Sequence, residues 1–496
     1  MKLLSLIALV AALSMPAVAH AEANQQRVSV GGYFRAMARP DFQGGFGTLG
    51  YWNLYGRLLN EAPWAGLELR IRLLEAQPGT SDPWTVAHFR IEGGAIQGGE
   101  PTNGKLGEFR LAQAFVEAGN VLVPDVTWRL GTLWMWMGDL GLYDMQVAQL
   151  FFGTLGLSAR LDKGPIELLV GVGDSGFLQR GTRYSPLLTG GGYLRLRAPK
   201  HLEVGLGGQF QFEPKVQGNR FAPHNTPGVG YEDWVRGEVV ENFLDLNPGQ
   251  ADFFPDPVPT TNASGRAIGY LGFGQLGPLQ WNNFFARFEL AHPDNVTTET
   301  NNGDDFDIYV ADLTDQRFVL TLGNEAQFQL VPQRWDLNWG VLYGNHWDLD
   351  NDLAPSDHDR WYISTVLRTQ VYLTRTVHVL LEGSGAREHS RNGNAFRNHG
   401  DSIFASSEGR ADSRGLEWGD SSDRWTVQGK GGFVLNPLGP GIYTRPSIRV
   451  LYGIQYSTQN QAWGNSFVQD LSQFNDFGAF ESHLHHVIAL EAEAWF

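Results

Sequence analysis

The sequence predicts an all-β chain, a transmembrane antiparallel β-barrel, and three observations lead there. Segments that alternate apolar and polar residues come in pairs around short turns rich in Gly, Pro, Asn and Asp. Long polar stretches separate the pairs. The chain closes on "VIALEAEAWF", which as a strand sets Ile488, Leu490, Ala492, Ala494 and Phe496 on one face and Ala489, Glu491, Glu493 and Trp495 on the other. One face suits oil and the other suits water.

The first residues, "MKLLSLIALVAALSMPAVAHA", carry one lysine, a short apolar run and Ala19-His20-Ala21, the small-x-small pattern of a cleavage site. Residues 1–21 read as a signal peptide and residues 22–496 as a single barrel domain. The apolar run is short of the ~20 residues a spanning helix needs, and no second run of that length follows. The expected destination is the bacterial outer membrane, with its lipid as a partner.

The charge balance of 37 Lys+Arg against 53 Asp+Glu gives −16, or −17 once Lys2 leaves with the leader. An acidic chain is a poor partner for nucleic acid, whose phosphates need a basic surface. The absence of cysteine removes disulfides, so an exported chain of this size must draw its stability from a large closed structure. Mean hydropathy is −0.25, and the 61 Gly, 16 Trp, 15 Tyr and 30 Phe suit many short strands joined by turns.

Six hairpins stand out: residues 157–174 with a turn near Asp162–Pro165, 192–212 with a turn near Ala198–Lys200, then 269–292, 318–344, 362–385 and 425–457. Each holds two strands of ~9–12 residues, the length of a tilted strand that crosses a bilayer. Longer polar stretches fall at Glu213–Ser264, Pro293–Asp315, His346–Arg360, Glu388–Arg424 and Ser457–Ser482. Short turns at one end and long loops at the other is the asymmetry of outer-membrane barrels. At ~25–27 residues per strand with its share of loop, the mature chain holds ~16–18 strands, which predicts a wide pore rather than a filled plug.

The apolar face of each strand fixes which side is lipid, and the other side is the pore. In "VSVGGYFRAM", Val28, Val30, Phe34 and Ala36 go outward and Ser29, Tyr33, Arg35 and Met37 inward. In "WNNFFARFELA", Trp281, Asn283, Arg287 and Glu289 go inward; in "IYTRPSIRVLYGI", Tyr443, Arg445, Ser447 and Arg449 do. If Phe496 faces lipid, Trp495 shares the lumen with Glu491 and Glu493. Rings beside Arg and carboxylates suit a sugar, whose C–H face lies on the π-face while its hydroxyls meet ionised partners. The alternative for any one ring is an interfacial girdle on the lipid side.

These blocks resemble the maltoporin-type sugar-specific porins. "VSVGGYFRAM" looks like the family's opening strand, "YTRPSIRVLYGIQYSTQNQAWG" is similar to its Arg-Pro-x-Ile-Arg-Val strand, and "NHWDLDND" before "RWYIS" and the closing "EAEAWF" also match. "VTWRLGTLWMWMGDLGLYDMQ" looks like its third loop. The resemblance covers the mature chain. It implies a barrel of about 18 strands with an inward-folded third loop and long extracellular loops, a homotrimer, and passive diffusion of malto-oligosaccharides along aromatic rings.

Carried over by position, the resemblance assigns the aromatic path to Tyr33, Trp281, Tyr443 and Trp495. It adds Trp64, which shares the face of Glu68 and aligns after one inserted residue. The polar tracks fall to Arg35, Arg57 and Glu68, and the acidic pair of the third loop to Asp139 and Asp144. This chain departs from the family where Met137 and Gly141 replace an arginine and a histidine, where Gln146 replaces the constriction tyrosine, and where Arg110 lies two residues from an expected arginine. "GGEPTNGKLGEFR" offers no counterpart to the ring that the family borrows from a neighbouring subunit.

Other signals read as bland. Gly-Asp-Ser-Gly around Ser175 matches a protease nucleophile loop but lacks a paired histidine, and a Gly-rich strand end explains it. His483, His485 and His486 suit a solvated loop edge better than a metal site. The carboxylates of Asp348–Asp352 alternate as in calcium loops, but Leu353 stands where the EF-hand glycine belongs. No enzyme activity, cofactor or metal is expected. The leading expectation is a sugar channel; the competitors are a general diffusion porin for small solutes and ions, and a barrel used as receptor or adhesin.

Overall fold

The structure is a computed structural model. It describes residues 27–43, 45, 47–50, 52–76, 80–94, 109–176, 187–198, 202–213, 262–291, 296–301, 304–309, 317–348, 360–390, 423–459, 462–464 and 482–496. The signal-peptide reading over 1–21, the second-loop segment 98–108 and residues 349–352 of the acidic motif lie outside the described residues.

Alternation becomes strand throughout. The strands are β1 (Val28–Ala38), β2 (Trp64–Leu74), β3 (Trp84–Gly94), β4 (Phe109–Gly119), β5 (Val126–Trp136), β6 (Gln149–Lys163) and β7 (Ile166–Asp174). They continue with β8 (Leu188–Ala198), β9 (Leu202–Glu213), β10 (Asn262–Leu276), β11 (Leu279–Ala291), β12 (Val296–Asn301) and β13 (Asp304–Tyr309). The last are β14 (Arg317–Val331), β15 (Trp335–Asp348), β16 (Arg360–Tyr372), β17 (Val377–Ser390), β18 (Asp423–Leu435), β19 (Ser447–Ser457) and β20 (Leu484–Trp495). One four-residue helix, α1 (Trp52–Tyr55), lies between β1 and β2.

Eighteen of these strands form one antiparallel sheet, each paired with the next in sequence except that β11 pairs with β14. The β12–β13 hairpin stands apart; it falls in a stretch read from sequence as loop, although Asn302-Gly303 between two alternating runs is a hairpin signal. The sheet closes where β20 meets β1, with register from Tyr33↔Trp495 to Ala38↔Leu490. Closure leaves no edge strand, which is what a barrel without disulfides needs. All six expected hairpins are present. Connections range from two residues, Gly164–Pro165, at one end to residues 214–261 at the other.

Side chains follow the expected parity. Ile488 and Leu490 are exposed on the outside, while Glu491 and Glu493 are buried inside. Ile448, Val450 and Tyr452 face out, with Ser447 and Arg449 inward. The strand expected to carry Tyr443 starts only at Ser447. Pro446 has no N–H for the ladder, so Tyr443 reaches the lumen from the preceding turn.

The lumen is not the wide pore expected from strand number, because two connections fold into it. The β5–β6 connection, the expected inward third loop, buries Met137, Leu140, Leu142, Tyr143, Val147 and Ala148. These join Phe285, Leu342, Tyr362 and Val366 of the far wall in an apolar core inside the barrel. The wall makes room with small residues: a Cβ on Gly323 would lie 2.4 Å from a methyl of Leu140, and one on Gly340 2.9 Å from the ring of Tyr143. Met137 enters this wall against Gly205 and Gly207, so it is packing rather than lumen surface.

The second inward segment is the β1–β2 connection, which the sequence did not announce. It buries Leu49, Leu54, Tyr55, Leu58 and Leu59, and Leu49, Leu58 and Leu59 pack with Leu380, Val434, Leu451 and Val487 of the wall. Lys430 donates to the backbone oxygen of Tyr55 at 2.8 Å and to Glu382 at 2.8 Å. Gly323→Val places two methyls where Leu140 packs. It should undock residues 137–148 at a cost of about 1–3 kcal/mol, read as faster amide exchange there with the strand ladder unchanged; unaltered exchange would contradict the packing described.

Candidate functional site

Between the two inward segments and the wall formed by β1 to β6 with β11, β14 and β20 lies a cavity of about 870 Å³. Strand parity delivers Tyr33, Arg35, Trp64 and Trp281 to it; the two connections deliver Arg57, Asp139 and Asp144; the last strand delivers Trp495, and the turn before β19 delivers Tyr443. Nine of the ten sequence-assigned residues therefore line this one cavity. Glu68 does not: it keeps the inward face of β2 but lies about 13 Å along the strand from Trp64, where it draws Arg90 at 3.6 Å and Arg70 at 3.8 Å. Arg110, Gly141 and Gln146 also line the cavity.

The rings come in two pairs. Tyr33 and Trp495 stack with centroids 6.3 Å apart and planes 27° apart; Trp281 and Tyr443 lie 6.5 Å apart at 32°. Polar tips hold three of these rings. Tyr33 Oη donates to Glu493 at 2.8 Å, Trp281 Nε1 to Gln327 at 2.8 Å, and Tyr443 Oη to Glu325 while it accepts from Asn338 at 3.0 Å. Arg445 lies over Trp495, 5.5 Å from the ring centroid. Trp134 and Phe152, 5.5 Å apart and edge to face, complete the aromatic lining. Sequence reasoning passed over them, although Trp134 stands within the quoted third-loop block.

The guanidinium groups are bound up in a network. Arg35 pairs with Glu61 at 2.6 Å, and Arg57 bridges Glu61 at 3.1 Å and Glu493 at 2.9 Å. Glu493 also takes Arg445 at 2.6 Å and Arg449. Glu61 and Glu325 are the consequential residues missed from sequence. Glu61 lies on the unexpected inward segment; Glu325, in "GNEAQFQ", shares the inward face of β14 with Gly323, which parity alone reveals. Glu325 accepts from the amide of Leu142 at 2.9 Å, and the amide of Arg57 donates to the carbonyl of Leu142 at 2.9 Å. The two inward segments and the wall are thus tied at one point.

The serine and histidines of the other motifs have these partners. Ser175 Oγ is 2.7 Å from the hydroxyls of both Thr154 and Thr189. The three histidines diverge: His485 turns inward to Asp41 at 2.9 Å, His486 contacts Tyr452 Oη at 2.6 Å, and His483 meets the backbone oxygen of Ser457 at 2.8 Å.

Among solved structures, the chain is similar to Pseudomonas aeruginosa OccD3 (OpdP), with a TM-score of 0.42 at 8% identity over 95% of this chain and 91% of that one. It is similar to Pseudomonas putida OprB, at 0.39 and 10% over 95% and 94%. It is also similar to an anion-selective porin from Comamonas acidovorans, at 0.37 and 12% over 95% and 100%. These are likenesses of the barrel architecture alone. No protein-family model and no curated protein matches the sequence, so membership of the maltoporin-type family stays a proposal.

Two carboxyls on the inward segments titrate in opposite senses. Burial raises Glu61 above its ordinary 4.5 despite Arg35 and Arg57. Burial pushes Asp144 upward too, but Arg57, Glu61 and Arg35 together outweigh it and hold it below 3.8. A lowered carboxyl stabilises the fold above its unfolded value and loses that as pH falls through its folded value; a raised one stabilises it below its unfolded value and loses that as pH rises. Protection of amides in 137–148 should therefore peak near pH 4 and decline on both sides. Asp144→Asn should remove the acid limb, and an unchanged acid limb would contradict the assignment.

Proposed function

We propose that this chain is an outer-membrane channel for passive, selective diffusion of carbohydrates, with maltodextrins the favoured class. The carrying observation is the two ring pairs, Tyr33–Trp495 stacked and Trp281–Tyr443 tilted, on one cavity beside ionised side chains. The polar tips of Tyr33, Trp281 and Tyr443 are already engaged, so these faces stay oriented without help from solute, and orientation in advance reduces the entropy cost of binding. A sugar ring would cover a π-face and exchange its hydroxyls among Asp139, Asp144, Arg57 and Arg35. Each ring adds only ~0.5–1.5 kcal/mol beyond area burial, which allows capture without trapping.

Location in the bacterial outer membrane is supported by the outward faces, which expose Val28, Val30, Leu194, Leu206, Phe210, Phe288, Leu381 and Val450 around a closed barrel. Cleavage of residues 1–21, a homotrimer and the absence of catalysis belong to the same reading. A second reading, a general diffusion channel for small solutes and ions, is favoured by one observation: Arg35 and Arg57, expected to meet sugar hydroxyls, are held by Glu61 and Glu493.

Planar-bilayer recording separates the two. With maltotriose added on one side, saturable block of the open-channel current should appear at millimolar concentration. Trp281→Ala or Trp495→Ala should weaken that block roughly two- to twelve-fold per ring with little change in conductance. Steady conduction with no sugar-dependent block would replace this reading with the general channel.

A further inference from the structure

The outward face of the described strands carries few charges, and one group of them is organised around an arginine. Arg387 on β17 shares that face with Leu381 and, across the ladder, with Ile363 and Trp425. Among the described strand residues it is the one arginine whose position in the alternation is outward. Its guanidinium lies 5.0 Å from the ring centroid of Trp361 and 5.1 Å from that of Trp425. His389, two residues on, stacks on Trp361 with centroids 5.5 Å apart. All of this lies at the ends of β16, β17 and β18 that lead into long connections, where Trp, Arg and His mark the headgroup level of a bilayer.

Below Arg387, on the same face and away from that rim, the next two residues of β17 are Gly385 and Gly383. They leave a furrow. The space a Cβ would take at Gly383 is open, and at Gly385 it meets Val427 only at 3.5 Å. Ile363, Leu367 and Val427, each about half exposed, form its flanks, and Leu381 its far end. A cationic head over an apolar furrow two strands wide has the chemistry of one phosphorylated lipid. Asp423 competes for the head: it takes Arg387 Nε at 2.9 Å and Nη2 at 2.8 Å. A guanidinium has five N–H groups, so Nη1 remains for a phosphate oxygen.

We propose that this furrow is a lipid-binding site of the outer leaflet, with a lipid phosphate on Arg387 and one acyl chain along Gly385 and Gly383. The proposal rests on the reading of the chain as a membrane barrel. Trp361 and Trp425 flank the guanidinium at the rim, and the glycines admit the chain that a side chain would exclude.

The test uses the mature chain reconstituted in neutral phosphatidylcholine vesicles, doped with phosphatidic acid or with diacylglycerol of the same chains, and native mass spectrometry of the lipids it retains. Wild type should keep one phosphatidic acid at least about five-fold in preference to diacylglycerol. Arg387→Gln should abolish that preference, Gly383→Leu should reduce retention of either lipid, and Asp423→Asn, which frees the guanidinium, should strengthen it. Equal retention by wild type and Arg387→Gln overturns the site; if Arg387→Gln does not insert, no gain from Asp423→Asn does the same. Full displacement by millimolar inorganic phosphate would make it a free-phosphate site without a lipid role. Failure of wild type to enter neutral vesicles would overturn the membrane reading instead.

Discussion

Everything in this molecule depends on the seam where the last strand meets the first. A barrel wall facing lipid must satisfy every backbone N–H and C=O within itself, and with no disulfide to help, the ladder between β1 and β20 alone makes the sheet endless. The ladder runs to the final residue: the amides of Gly32 and Phe496 each donate to the other's carbonyl at 3.0 Å. Gly32 is obligatory there, since a Cβ would lie 2.7 Å from the ring of Phe496 and 2.8 Å from the carbonyl oxygen of Gly66. The parity that puts Phe496 outside puts Trp495 inside, stacked on Tyr33. The seam therefore builds half of the aromatic site as a by-product of closing the wall.

Inside, the usual arrangement of a soluble protein returns. The two inward segments bring their own leucines and aromatics, which find glycines and apolar side chains on the far wall. Charge then does what apolar packing cannot. Glu61, Glu325 and Glu493 each accept from more than one element, so that Arg57, Leu142 and Tyr443 are fixed relative to one another. Buried ion pairs add little net stability beside well-packed apolar groups. Their value here is positional, since they keep rings and aspartates at one cavity. The same engagement leaves Asp139 and Asp144 more open to solute than Arg35 and Arg57.

Much of the wall was legible in the sequence because its code has period two. Each expected hairpin formed, and the inward placement of Trp281, Arg449 and Trp495 followed from alternation alone. Alternation is silent about connections. Tyr443 was assigned to a strand because its parity agreed with Arg445 and Ser447, yet Pro446 ends the ladder before it. The inward course of the β1–β2 connection left no periodic trace; its leucines at 49, 54, 58 and 59 are spaced for packing on a wall that exists only after the barrel has closed. Glu68 shows the complementary limit, since the correct face does not ensure the correct height along a strand.

The proposed sugar channel stands or falls on whether the ring pairs form a surface for sugar. A crystal structure of the trimeric or monomeric detergent-solubilised protein soaked with maltotriose at millimolar concentration tests it most directly. A pyranose face should lie on Trp495 or Trp281 with hydroxyls within hydrogen-bond distance of Asp139, Asp144 or Arg57. A cavity without sugar at saturating concentration, or sugar bound only to the loops outside the barrel, would contradict it.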